Sequence, residues 1–291
     1  MEEKFVKIEP MKQLFTSAKI RSLCSVIFAL AFQASMCQSH ADTVANQNSV
    51  YTFDFTGGGG LTGWAVDGQN QVVNQWFYFR IGGGVGEQAI NAISAPVVNI
   101  SSSGSQTNLT VGYTNAALSV SIQYSLTGSN NNRSGYSELV SVFNYTATNM
   151  DLHFFDYSHF SLGGGNQTIR IGTAGPKPNA INQTNSSGAF LVETLSSIGS
   201  TPLAQIGAGG TLLASLTDGS PTSLSPNILG PQSGPDLETA FEFDWSVAAN
   251  AATGKSISTA GPIIVPEPSA LALIVLGLGA LGLRRKRQSQ T

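Results

Sequence analysis

Cysteine is nearly absent. The 291-residue chain has two, Cys24 and Cys37, and both fall within its first 41 residues. No disulfide framework can hold the rest of the chain, which excludes the small disulfide scaffolds. Charge is scarce too, at 11% of residues, too little for a solvated disordered protein. Basic residues are fewest in the middle. Residues 42–265 hold five of them (Arg80, Arg133, Arg170, Lys177, Lys255) against thirteen acids, a net charge of −8. A body of that sign repels phosphate backbones, so no nucleic-acid partner is expected. That middle region also shows no amphipathic helical period and no repeat of fixed length.

The ends differ from the middle. Lys12, Lys19 and Arg21 precede an apolar run from Leu23 to Ala34, and Ser39-His40-Ala41 places small residues at the −3 and −1 positions of a cleavage site. A positive segment, a short apolar segment and a small-residue exit are the parts of a secretory signal. Residues 1–41 are therefore read as a signal peptide, cut by signal peptidase between Ala41 and Asp42, with Met11 the more conventional start. Met36 is too bulky beside Cys37 for a lipoprotein site.

At the other end, Pro266-Glu267-Pro268 precedes fourteen apolar residues, Ala270 to Leu283, and then Arg284-Arg285-Lys286-Arg287. As a helix that run is roughly 21 Å long against a hydrocarbon core of ~30 Å, a short span that snorkelling arginines can extend. The positive-inside rule keeps the basic tail cytoplasmic and the acidic body outside that membrane. Residues 248–264 read as a linker, so the body is expected to end near Val247.

Between them the dominant period is two. Leu118, Val120, Ile122, Tyr124 and Leu126 alternate with polar residues, as do Phe241, Phe243, Trp245 and Val247. Tyr51-Phe53-Phe55 and Leu109-Val111-Tyr113 repeat the pattern, which marks half-buried strands. Further strands are expected at 72–81, 138–146, 150–160, 167–172, 188–194 and 211–216. Turn residues separate them at 57–60, 82–84, 128–132, 163–165 and 218–221. About ten short strands predict an all-β body over 42–247, an antiparallel sandwich or jelly roll, with Phe53, Phe55, Val120, Ile122, Phe243 and Trp245 inside. Residues 195–235, poorer in aromatic side chains, are read as long loops or a β-excursion.

Candidate chemistry in the body is thin. The triglycine runs lack the Lys-Ser/Thr ending and following helix of a phosphate loop, and read as turns. His153 and His159 are the only histidines beyond the signal. On one strand they would stand about 20 Å apart, too far to share an ion, so no metal site is expected. Glu238, Glu242 and Asp244 offer the paired acids of glycoside hydrolysis. The alternation of Glu242 and Asp244 with Phe241, Phe243 and Trp245 instead reads them as the solvated side of a packed strand. No Gly-x-Ser-x-Gly elbow is present. Seven Asn-x-Ser/Thr triplets reflect composition. Trp64, Trp76 and Tyr78 would stack on sugars if exposed and serve the core if not. No catalytic residue and no cofactor is expected.

The C-terminal order resembles the PEP-CTERM sorting signal of Gram-negative bacteria. The matching residues are Pro266, Glu267 and Pro268, the apolar run with Gly277, Gly279 and Gly282, and the basic tail, together 265–288. The resemblance implies recognition by exosortase, a membrane-embedded cysteine peptidase, and company with extracellular polysaccharide. Residues 136–165, with the run Leu152 to Leu162, also look like a stretch of PEP-CTERM surface proteins, with His159 where an acid would stand. The expected function is that of an exported, non-enzymatic surface or matrix protein, held transiently in the inner membrane and sorted to the cell surface or extracellular matrix. A carbohydrate-binding module is the alternative, and a secreted glycan-active enzyme a more distant one.

Overall fold

Residues 42–129, 133–175, 177–197, 202–225 and 231–259 are described in a computed structural model. The expected signal peptide with Ala41, and the sorting motif with Pro266, Glu267, Pro268 and Arg284 to Arg287, lie outside the described residues. In chain order the strands are β1 (Asp42–Asn46), β2 (Ser49–Asp54), β3 (Gly60–Val66), β4 (Gln69–Asn70), β5 (Val72–Ile81) and β6 (Gln88–Ala89). They continue with β7 (Val97–Ser103), β8 (Gln106–Thr114), β9 (Leu118–Gly128), β10 (Ser134–Asn144), β11 (Met150–Phe160) and β12 (Gln167–Ala174). The last are β13 (Lys177–Asn185), β14 (Phe190–Ser197), β15 (Leu203–Ala208), β16 (Gln232–Gly234), β17 (Leu237–Val247) and β18 (Ala252–Thr259). The one α-helix among the described residues is α1 (Thr211–Thr217).

Two sheets result. The first runs β1-β2-β3-β5-β11-β17-β15, with β4 on β3 and β6 on β5. The second runs β16-β12-β13-β14-β18-β10-β9-β8-β7. All pairings are antiparallel except a short contact of β3 with β5. There Gly60 has φ +63, and a Cβ on it would stand 2.1 Å from the Gln75 carbonyl, so only glycine permits the approach.

The period-two alternation decides what lies between the sheets. Phe53, Phe55, Val120, Ile122, Phe243 and Trp245 are all buried. Phe53 packs on Tyr124 with ring centres 5.0 Å apart, and Trp76 meets Tyr113 edge-on at 6.3 Å. Polar ties cross the same gap. The Tyr51 hydroxyl donates to the Thr127 carbonyl at 2.9 Å, and the Trp64 indole donates to Ser134 Oγ at 2.8 Å. The body is thus a sandwich of two faces meeting through aromatic side chains.

Two segments depart from the sequence reading. Residues 211–216, expected as a strand, form α1, because Leu212 and Leu216 bury one helical turn apart while Gly210 turns the chain at φ 79. Residues 252–259, expected as linker, form β18, seated between β14 and β10. Its small polar residues carry no apolar alternation, and its register is set by two neighbouring strands. Among the described residues no helix is long and apolar enough to cross a membrane.

Candidate functional site

The outer face of the first sheet gathers a group of ionisable side chains. Pairing of β11 with β5 and β17 puts Arg80, His153 and Asp244 in one row across three strands. Glu242 stands two residues from Asp244 on the same face of β17. The row is flanked by Glu87 and by Asp151.

His153 is the centre of this group. Its Nδ1 lies 2.5 Å from Asp244 Oδ1 and 3.5 Å from Glu242 Oε1, and its Nε2 lies 3.8 Å from Asp151 Oδ2. None of these approaches is directed as a hydrogen bond from Nδ1. His153, Glu242 and Asp244 each offer one ligand atom within 4.8 Å of the others, a nitrogen and two carboxylates that suit a divalent transition metal. Arg80 competes for Glu242, approaching its Oε1 at 4.0 Å, while donating to Glu87 Oε1 at 2.8 Å.

A strap covers the group. After α1, residues 218–225 run across the sheet, and the Leu224 amide donates to Glu242 Oε2 at 2.6 Å. The Thr222 amide donates to Glu87 Oε1 at 2.9 Å, and Arg80 Nη2 donates to the Thr222 carbonyl at 3.0 Å. Glu242 is consequently buried, not solvated as its alternation suggests. Burial pushes its carboxyl up to about 7, against the pull of the Leu224 amide. Its neighbour Asp244 remains exposed.

The other singled-out residues go elsewhere. His159 pairs with Asp236 at 2.8 Å, separate from His153. Glu238 accepts the Tyr157 hydroxyl at 2.8 Å and the Leu212 amide of α1 at 2.7 Å, filling a helix end that lacks its own capping side chain. Trp64 and Trp76 are fully buried and Tyr78 nearly so. Asp42 opens β1 opposite Phe53. The meeting of His153 with Glu242 and Asp244 escapes a reading that pairs histidine with histidine. The cross-strand register His153–Asp244 creates it, and alternation within one strand carries no register. A shallow pocket of about 380 Å³ is lined by Asn166, Thr168, Asn185 and Ser233, with no carboxylate or histidine among its lining residues.

Residues 265–287 match the family of the PEP-CTERM protein-sorting motif, and the chain carries that motif. No curated protein matches the chain in sequence. Among solved structures, a TPR-domain containing protein from Parabacteroides distasonis is similar at 10% identity and a TM-score of 0.47. The match covers 77% of this chain and 47% of that one, so the chain spans about half that protein's length. A putative aldose 1-epimerase from Escherichia coli is similar at 7% identity and TM-score 0.39, covering 75% of this chain and 97% of that one. A galactose mutarotase-like protein from Lactobacillus casei reaches 11% identity and TM-score 0.36, covering 75% and 99%.

Proposed function

We propose that this carrier of a PEP-CTERM sorting motif is an exported, non-enzymatic surface or matrix protein. The motif at 265–287 is the observation that carries the reading. Signal peptidase cuts after Ala41, and the run Ala270–Leu283 then holds the exported chain in the inner membrane with Arg284 to Arg287 on the cytoplasmic side. Pro266 and Pro268 fix φ and withhold backbone donors, so Glu267 sits in extended chain that a peptidase can bind. Exosortase acts there, and the acidic sandwich passes to the cell surface or the extracellular polysaccharide layer.

Two features of the body support a structural role. The acids nearest to a catalytic arrangement are engaged in fastening the strap, since Glu242 and Glu87 accept amides from Leu224 and Thr222. The aromatic residues that would serve a sugar-binding face, Trp64, Trp76 and Tyr78, are committed to packing. Replacing Pro266-Glu267-Pro268 by three alanines tests the reading. The altered chain is expected to accumulate as an unprocessed precursor in the inner-membrane fraction. Wild-type processing of the variant would reduce the tail to a plain anchor.

A further inference from the structure

Lys255 is the one basic residue of the second sheet's centre, and it points inward. Its Nζ lies 2.6 Å from Oδ2 of Asp156 on β11, and both side chains are buried, at 0% and 2% exposure. Three rings enclose the amine, with Nζ 4.7 Å from the centre of Phe77, 5.0 Å from Phe243 and 5.7 Å from Phe154. Gln75 Nε2 donates to the other Asp156 oxygen, Oδ1, at 2.9 Å. Glu138 on β10 completes the group. Val140 pairs with Lys255, which makes Glu138 its diagonal neighbour on the same face. The Glu138 side chain is buried and within hydrogen-bonding reach of Gln75, while its Oε1 has no partner.

We propose that Lys255 and Asp156 become joined by an intramolecular amide bond, formed by the folded protein itself with Glu138 as proton carrier. A condensation of this kind needs a neutral amine facing a neutral carboxylic acid, because a protonated amine has no lone pair to attack with. One proton moving from Nζ to Oδ2 across their contact produces that neutral pair. The Nζ lone pair then attacks Cγ of Asp156. As the C–N bond forms, the carbonyl electron pair moves onto Oδ1, where the Gln75 amide already donates. Glu138 gives its proton to the Oδ2 hydroxyl and takes one from the nitrogen, the Cγ–Oδ2 bond breaks, and water leaves. Glu138 ends as it began, and amine plus acid have become amide plus water with no oxidant or cofactor.

The fold supplies what the reaction needs. Two sheets hold the partners in contact, so an otherwise bimolecular condensation becomes intramolecular. The surrounding rings exclude the water that would reverse it. Burial, with Asp156 nearby, holds the Glu138 carboxyl well above the usual carboxylate range, which keeps a proton on it for the relay. The bond would tie β11 of the first sheet to β18 of the second, a covalent staple in a body that contains no cysteine. It also lies on the strand nearest the sorting motif, where tension on an attached C-terminus would first be felt.

The test is peptide mass spectrometry of the folded full chain, an observation independent of how the tail is sorted. Digestion is expected to yield one branched fragment containing both Asp156 and Lys255, lighter by one water than its two linear parts, with fragmentation placing the link on those side chains. Lys255→Arg should give the linear fragments alone. Glu138→Gln, checked for folding by circular dichroism, should leave most molecules unlinked. Linear fragments of full mass from the folded wild-type chain would overturn the proposal, whether or not the variants fold. A folded Glu138→Gln chain that links fully would overturn the role of Glu138.

Discussion

Glu193 shows what burial does to an acid in this sandwich. It lies between the sheets, where it accepts from Ser158 Oγ at 3.4 Å, and burial aided by Asp156 pushes its carboxyl up to about 8. Glu242, under its strap, is pushed up to about 7. Both values are raised above the ordinary 4.5. Below that value native and unfolded chains are equally protonated at these sites. As pH rises above it, the unfolded chain releases protons that the native chain keeps, so stability falls until the native groups also ionise. The denaturation midpoint of the protein should therefore drop as pH rises between about 4.5 and 8, with one fully buried acid contributing a slope near ~1.4 kcal/mol per pH unit. Glu193→Gln should reduce the slope across that range, most visibly near pH 8, where Glu242 is mostly ionised. An unchanged slope in that variant would remove Glu193 from the account. The sequence disclosed these acids but not their burial. Glu242 alternates with aromatic residues as a solvated position would, and the strap that covers it arrives from residues 218–225, with no local mark on β17.

Strands with strong side chains were legible, and strands defined by their neighbours were not. Val72–Ile81 and Met150–Phe160 have the bounds that their apolar residues suggest. The segment 211–216 misled because Leu212 and Leu213 fit a strand as well as a helix, and the i, i+4 burial of Leu212 and Leu216 needs the surface of β15 and β17 to express it. Gly207 matters there, since a Cβ on it would come within 2.6 Å of Leu212. β18 is the larger omission. Small and polar residues gave it the look of a linker, yet it hydrogen-bonds β10 along eight residue pairs and β14 along four. A chain ended at Val247 should consequently lose the middle of its second sheet, leave Asp156 without Lys255, and fail to fold. A chain carried to Thr259 should fold. Circular dichroism and dispersion of NMR signals compare the two, and a well-folded chain ending at Val247 would show β18 to be dispensable.

At the scale of the whole molecule, charge divides the chain in a way that the sorting route can use. An acidic body with net charge −8 is followed by four consecutive basic residues, and the apolar run between them is short for a bilayer. Such a run holds its place through what flanks it. Arginine and lysine side chains can snorkel to the cytoplasmic interface and extend its effective length, and their charge opposes transfer to the other side. Two changes therefore separate anchoring from orientation. Deleting Ala270–Leu283 should release the body as a soluble periplasmic protein with its Pro266-Glu267-Pro268 uncut, because the motif is no longer presented at the membrane. Changing Arg284, Arg285, Lys286 and Arg287 to neutral residues should leave the apolar run in place but impair its retention with the tail inside, so that some chains pass through the membrane and reach the periplasm unprocessed. Fractionation with C-terminal sequencing reads both outcomes. If the neutral-tail chain is retained and processed at the wild-type rate, the basic cluster has no part in holding the motif, and the apolar run alone positions it.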